Sequence, residues 1–537
     1  MALTKVTYSM IEGNVRSVVD YGVVGDGITD DTVAMQAAFA GLDTGSVLLL
    51  EGLTIIVNDR LLVSGKTGFS IDGQGGTIKA KNAMPVASDK EIIAIRNCSD
   101  FTMQNLTVDG NRANRTPAEV AAHSIEFRTC SKFICQQVTS NNAVVDGFIF
   151  NTADNTDPST YCLDFQMINC FADNCYRQGA SVINAYNFKF SGGAYTNTNG
   201  TNPEAGIDIE SNAGATIGNR GGVIENCNFE GNNGFGILLS NVGGSHEFVI
   251  QNSYFSANGL GGVGVNTDDT HILNCVFRNH TGAGITQGVV TFQNQPSIRG
   301  GSVINCRFAD NTNTTACIYT FSTTSGIDIA DNIISNHANY GIFTSGTAHS
   351  ITGNSVFDCD GVGILSNAVS SVIANNYVVR AGAKGIHQNA GAGTKILNNT
   401  VKDVVSVSNG YIQTDVSGTV IQNNVCLSTA SAPTTFGVYL GSSSINNAVI
   451  TNTFSNLHST QPVGVSGTVI SQHLVYGNTG GTDNNVRGVI SGLGVPLYTT
   501  AARPTDVVAG QCVFDTTLNK PIWWNGTVWK DAAGTTV

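Results

Sequence analysis

The chain has 537 residues, with 26 Lys and Arg against 39 Asp and Glu, for a formal net charge of −13. Only 12% of the residues are charged, about half the share usual in a soluble domain, yet 41% are apolar, enough to bury a core, which excludes a disordered chain. The acidic balance excludes nucleic acid as a partner, because phosphate binding needs clustered Lys and Arg.

The N-terminal segment Met1–Glu12 carries no apolar targeting stretch, and no window reaches the roughly 18 to 20 apolar residues of a membrane span, so no membrane insertion is expected. The first element is a helix over Asp30-Asp-Thr-Val-Ala-Met-Gln-Ala-Ala-Phe-Ala. Asp30 or Asp31 is placed to cap it, and Val33, Met35, Ala37 and Ala38 supply an apolar face. Such a helix suits the open end of a stacked repeat array, which needs a cap.

Repeats follow. Weak units led by Phe101, Phe133, Phe165 and Phe188 precede a clear series. One phrase recurs in it: an aliphatic residue, a spacer, Asn-Cys or Asn-Asn, then an apolar residue. It reads IENCNF from Ile224, ILNCVF from Ile272, VINCRF from Val303, IANNYV from Ile373 and IQNNVC from Ile421, and looser copies lead from Ile250, Ile329, Ile351, Ile396 and Ile450, so that successive leaders are 22 to 31 residues apart. A second phrase falls midway, as GFGILLS at Gly234, GAGITQ at Gly282 and GVGILSN at Gly361. Short runs of period two mean strands, and a unit this small must stack on its neighbours to bury an apolar face. The expected fold is an all-β parallel β-helix of roughly a dozen or more coils. Cys227, Cys275 and Cys306 share one register and should form an inward ladder of small apolar groups, with the Asn beside them taking left-handed turns or stacked amides. The 13 Cys are odd in number and include no C-x-x-C pair, which argues against a full disulfide framework and against zinc. No metal or other cofactor is expected, and no repeated acidic loop offers a calcium site.

Candidate chemistry is sparse, which makes its clusters easy to see. Asp109, Arg112 and Arg115 read as a substrate-binding rim or a solvated loop, and His123 and Glu126 as surface residues. The strongest cluster is Pro203-Glu204-Ala-Gly-Ile-Asp208-Ile-Glu210. Alternation turns Ile207 and Ile209 into the bore and both Asp208 and Glu210 outward, about 6.5 to 7 Å apart at the backbone. Glycoside hydrolysis commonly uses two carboxyl groups, one to protonate the leaving oxygen and one as base or nucleophile. Glu204 is placed to assist. Arg177, Gln178 and Tyr186, on the preceding coil, are candidates for holding the substrate. Asp268, Asp269 and His271, at a turn further on, form a second candidate substrate-binding group. Ser325-Gly-Ile-Asp328-Ile-Ala330 nearly copies the first motif without its second acid, so the G-I-D-I frame is partly structural.

The last segment carries all three Trp, at Trp523, Trp524 and Trp529, and reads as a hairpin turning at Asn525-Gly526. The expected divisions are an N-terminal segment with the capping helix (1–45), a β-helix (46–480) and a small C-terminal module (481–537) for trimerisation or carbohydrate binding.

Asp20-Tyr-Gly-Val-Val-Gly-Asp-Gly-Ile-Thr-Asp-Asp-Thr resembles the opening motif of the pectate-lyase-like superfamily, which includes polysaccharide-degrading bacteriophage tailspikes. Val23 stands where Ala is usual. The run from Gly510 to Trp529 looks like a terminal module of tailspikes and tail fibres, and Arg177-Gln178 followed by Gly206-Ile-Asp208 is similar to a paired signature in this superfamily. The resemblance implies a right-handed helix and a homotrimer. It further implies a virion protein that cleaves bacterial capsular or O-antigen polysaccharide and attaches through other phage tail proteins. Hydrolysis is the expected reaction. Elimination on the same scaffold, or a tail fibre that binds without cleaving, are the alternatives.

Overall fold

A computed structural model of the chain describes residues 15–118, 121–280, 287–293, 297–312, 315–405, 410–429, 436–457, 463–466, 473–480, 497–505, 507 and 509–537. The phrase opening at Gly282 and the expected boundary at residue 481 lie outside them. The chain divides into two compact units, Met1–Ala368 and Val369–Val537.

In the first unit five long strands pair in parallel, in the order Ser70–Ala80, Ser99–Asp109, Ser131–Asn141, Cys162–Asp173 and Ala185–Thr196. From residue 220 onward each long strand becomes two short ones, such as Arg220–Glu225 and Asn228–Glu230, which pair with the next coil in the same way. A second parallel sheet runs from Leu61–Ser64 through Asp146–Asn151, Gln178–Val182 and Ile207–Ile209 to Ile364–Ser366. The second unit repeats the arrangement, with Ile386–Gln388, Gly410–Thr414, Phe436–Leu440 and Val463–Val465 in one sheet.

The recurring phrase now has a physical reading. Asn226, Asn252, Asn274 and Asn305 stand at φ of 55°, 51°, 55° and 54°. This left-handed backbone turns the chain between the two short strands, and Asn tolerates it better than most residues. The residue after each points inward: Cys227, Ser253, Cys275 and Cys306 are 1–3% exposed. The Cys ladder expected from the register is present. Beyond Cys306 the same position is taken by Asn332 and Asn354, and in the second unit by Asn376, Asn399, Asn424, Asn452 and Asn478. Each rung does two jobs. Oδ1 of Asn424 accepts the backbone N–H of Asn399 at 2.9 Å, while its Nδ2 donates to the Ile396 carbonyl at 2.9 Å. These turns are buried, and their backbone groups have no water to bond, so the amides satisfy them. Asn424→Ala should orphan a buried N–H and a buried carbonyl and cost about 1–3 kcal/mol, read as a lower denaturant midpoint.

Aromatic stacks fill the bore of the first unit. Phe69, Phe101, Phe133, Phe165 and Phe188 stack at 4.8–5.5 Å between ring centroids. Phe229, Phe255, Phe277 and Phe308 continue at 4.7–4.9 Å on a neighbouring line. The Phe-led units read from the sequence are therefore coils like the rest.

The helix forms at Thr32–Ala40, but its buried face is Met35, Ala38 and Phe39. Val33 is 84% exposed and Ala37 is exposed too, contrary to expectation, because these two, four residues apart, share the helix face opposite the buried one. Asp30 bonds the Thr32 N–H, whereas Asp31 holds the preceding loop through Val24 N and Gly25 N at 2.8 and 3.0 Å.

The C-terminal hairpin is confirmed, with Cys512–Asp515, Lys520–Trp524 and Trp529–Asp531 antiparallel and Asn525 at the turn. Its aromatics are less available than a sugar-stacking platform requires. Trp529 sits in a core with Val513 and Ile522, Trp524 packs on that core, and Trp523 is half-buried.

Candidate functional site

The second sheet of the first unit carries the chemistry. Strand Ile207–Ile209 buries Ile207 and Ile209 completely, as alternation requires. Asp208 and Glu210 share the opposite face, but they do not share an environment. Glu210 is exposed, whereas Asp208 is only 3% exposed, so the expectation of two solvent-facing acids is corrected. The preceding coil covers it: Ser181 pairs with Asp208 in register, and the Gln178 amide lies 2.5 Å from Asp208 Oδ2.

That amide leads to a second carboxylate that sequence reasoning missed. Asp146 is fully buried and sits opposite Gln178 one coil upstream. Its Oδ1 accepts from Arg177 Nε at 2.8 Å. Its Oδ2 accepts from Arg177 Nη2 at 2.5 Å and from Ser181 Oγ at 2.9 Å. His123 Nδ1 lies 3.1 Å from the same Oδ2. Ser181 Oγ also contacts Gln178 Oε1. Asp208, Gln178, Ser181, Asp146, Arg177 and His123 thus form one connected polar group across four coils.

The two acids are tuned in opposite directions. Burial, and then the negative charge of Glu210, push the Asp208 carboxyl well above the ordinary carboxylate range. Burial acts on Asp146 in the same sense, but the Arg177 guanidinium and His123 outweigh it and hold that carboxyl far below its usual value. Asp208 therefore keeps its proton to higher pH than an ordinary carboxyl, and Asp146 gives its proton up at lower pH. A pair of carboxyls pushed apart in this way is what acid–base chemistry needs.

Further along the same face lies a buried ion-pair cluster. Glu126 is fully buried and accepts from Arg96 Nε at 2.6 Å and Arg128 Nη2 at 2.7 Å. Glu91 is likewise buried, 3.3 Å from Arg96 Nη2, and its carboxyl is raised by burial and by the Glu126 charge. His123 and Glu126 are thus interior residues, not the surface residues expected, because Arg96, Arg128 and Asn151 gather on the Glu126 carboxylate and Asp146 lies against His123.

Other expected residues are placed elsewhere. Arg177 does not offer its guanidinium singly to a substrate, since its Nε and Nη2 both reach Asp146. Glu204 is at φ 53° and is committed to a turn, accepting from Gly200 N at 2.5 Å and Asn233 Nδ2 at 3.1 Å. Tyr186 is on the long sheet, under the Arg220 guanidinium at 4.4 Å, in a column with His246 and Asp268. Asp268, Asp269 and His271 lie on that sheet too, in strand Asp268–Leu273. There Asp268 accepts from Arg299 N and His271 bridges Asp269 and Ser302. None of these four joins the Asp208 group. Arg115 is a buried staple that donates to the carbonyls of Met84, Gly110 and Pro85, and burial lowers it to about 10. The look-alike Asp328 is also on the long sheet. Among the described residues no three His, Cys, Asp or Glu are placed to hold a metal ion, and no helix is long and apolar enough to cross a membrane.

Residues 206–356 match the family model of the right handed β-helix region. The fold is a right-handed parallel β-helix. Residues 286–489 also match the model of the periplasmic copper-binding protein NosD. A stretch of 92 residues, 17% of the chain, is 33% identical to "Depolymerase 1, capsule K30/K69-specific" of Klebsiella phage K5-2. That match covers 12% of the phage protein, so the chain spans about an eighth of the length of this curated relative. Among solved structures, the β-helix is similar to the pre-mature gene product 12 of bacteriophage phi29. The identity is 13%, with 92% of this chain and 76% of that one covered and a TM-score of 0.50. Tailspike protein 3 of bacteriophage CBA120 matches at 14% identity, covering 97% and 69%, with a TM-score of 0.35.

Proposed function

We propose that this β-helix is a phage tailspike depolymerase that binds and hydrolyses a bacterial surface polysaccharide, with Asp208 as general acid and Glu210 as base or nucleophile. The observation that carries the reading is a buried carboxyl, raised by burial and by a neighbouring charge, beside an exposed one on a single strand face. Hydrolysis then balances simply. Asp208 gives its proton to the glycosidic oxygen as the bond to the anomeric carbon breaks. Water activated by Glu210 attacks that carbon, or Glu210 attacks it and water, deprotonated by the Asp208 carboxylate, then cleaves the glycosyl ester; on either route the water proton ends on a carboxylate. Arg177 serves the site indirectly, by fixing the Asp146 anion.

The local similarity to a capsule depolymerase supports a capsular or O-antigen polymer as substrate and a virion tail as the location. Elimination would need a cation to neutralise a uronate carboxylate, and the guanidinium of Arg177 is engaged by Asp146 through two donors, which favours hydrolysis. The proposed assembly is a homotrimer docked to other tail proteins, with the C-terminal module aiding association, since its buried Trp529 argues for a structural role. Light scattering should return three chains per particle; a monomer contradicts that part. The function itself is tested on a panel of purified capsules and O-antigens. One cognate polymer should lose chain length with wild-type protein and keep it with Asp208→Asn. Binding to a polymer without shortening it supports a receptor-binding fibre instead.

A further inference from the structure

A side-chain amide's nitrogen and oxygen are assigned by the partners each must satisfy. At Gln178 this assignment decides where a proton sits. With Nε2 toward Asp208, Oε1 faces Ser181 Oγ, and Ser181 Oγ also faces Asp146 Oδ2 at 2.9 Å. A hydroxyl has one hydrogen. It cannot serve both acceptors, so one of these two buried contacts would bring oxygen against oxygen with no hydrogen between them. Asp208 Oδ1 adds to the difficulty. It is buried with no hydrogen-bond partner, a costly place for an ionised oxygen.

We infer that in the resting protein the Gln178 amide is turned over, accepting a hydrogen bond from protonated Asp208 and donating through Nε2 to Ser181. Each contact of the chain then has a hydrogen of its own, and the unpartnered Oδ1 carries no full charge. Asp208 Oδ2–H donates to Gln178 Oε1, Nε2–H donates to Ser181 Oγ, and Ser181 O–H donates to the Asp146 anion. Arg177 and His123 anchor the far end of the chain. The two buried carboxyls hold one proton and one negative charge, and the order of donors fixes which holds which. The charged and titratable groups facing Asp208 are Glu210 on its own strand and Arg177 and Asp146 on the coils before it. The coil after it presents Leu238.

The catalytic consequence rests on the hydrolytic reading; the proton placement does not. When Asp208 passes its proton to a leaving oxygen, the new anion faces Gln178 Oε1. Two acceptors then face each other, so the amide favours return of the proton to Asp208. Gln178 is thus a positioning residue that holds the proton on the acid.

Neutron diffraction from deuterium-exchanged wild-type crystals near neutral pH reads the placement directly. The expected map has a deuteron on Asp208 and the Gln178 amide deuterons toward Ser181. A bare Asp208 carboxylate, or amide deuterons pointing at Asp208, overturns the inference whether or not the protein cleaves any polymer. On a cognate polymer, Gln178→Met gives a second reading, because the acceptor of the acidic proton is lost. The alkaline limb of the rate profile should fall by about one pH unit, whereas an amide that donated to the anion predicts a rise.

Discussion

Asp208→Asn is expected to slow polymer cleavage by roughly 10² to 10⁴ and, in the same protein, to raise thermal stability at neutral pH. Both effects follow from one buried acid. Burial and the Glu210 charge raise the folded Asp208 carboxyl above its unfolded value, so the fold retains a proton that the unfolded chain releases. The stability linked to this group is whole below the unfolded pKa and is lost as pH climbs toward the folded one. Asn has no proton to lose. The variant and wild type should therefore melt together at about pH 3 and separate above about pH 4, the variant the more stable. Glu210→Gln should lose rate with little stability gain, since its side chain is exposed, and Asp328→Asn, on the long sheet, should be silent in both. Melting curves across pH, paired with initial rates, check all three. Wild-type and Asp208→Asn curves that stay parallel would mean an ordinary, ionised Asp208.

Asp146→Ala should be the most damaging single change at the site, costing about 3–5 kcal/mol. The carboxylate is completely buried and is the common partner of Arg177, Ser181 and His123. Without it a partly buried guanidinium loses its counter-ion. The pH dependence has the opposite sign from Asp208. The folded Asp146 carboxyl is depressed, so its contribution is present above the unfolded pKa and disappears as pH falls through the folded one. Denaturant midpoints for wild type and variant should accordingly converge in acid. A loss below about 1 kcal/mol at neutral pH, the range of an exposed ion pair, would contradict the central place given to this carboxylate.

The sequence carried the fold further than the site. Repeat phrases exposed the coils because each needs the same residue types at the same turn: a left-handed Asn226 or Asn375, then an inward Cys227 or Asn376. The outward direction of Asp208 was legible from the alternation with Ile207 and Ile209. Its burial was not, because alternation tells only which side of a sheet a residue takes, not how closely the side chains of the neighbouring coils enclose it there. Asp146 was missed for a related reason. Nothing local marks it in Val145-Asp-Gly-Phe, and its role comes from lying one coil before Gln178. The step from Phe133 to Phe165 is the same as that from Asp146 to Gln178, so carrying the weak Phe-led units through as coils would have paired the two. Tyr186 fell on the other sheet because nearness in sequence was read as nearness in space. In a coil with two kinds of sheet, a few residues are enough to move a side chain to a different face.

The most direct measurement is cleavage of the cognate polysaccharide in heavy-oxygen water, followed by mass spectrometry of the fragments. Hydrolysis by Asp208 and Glu210 predicts one labelled oxygen at each newly formed reducing end and no new ultraviolet absorbance. Unlabelled fragments that carry an absorbing, unsaturated end would show elimination and contradict the assignment of these carboxyl groups.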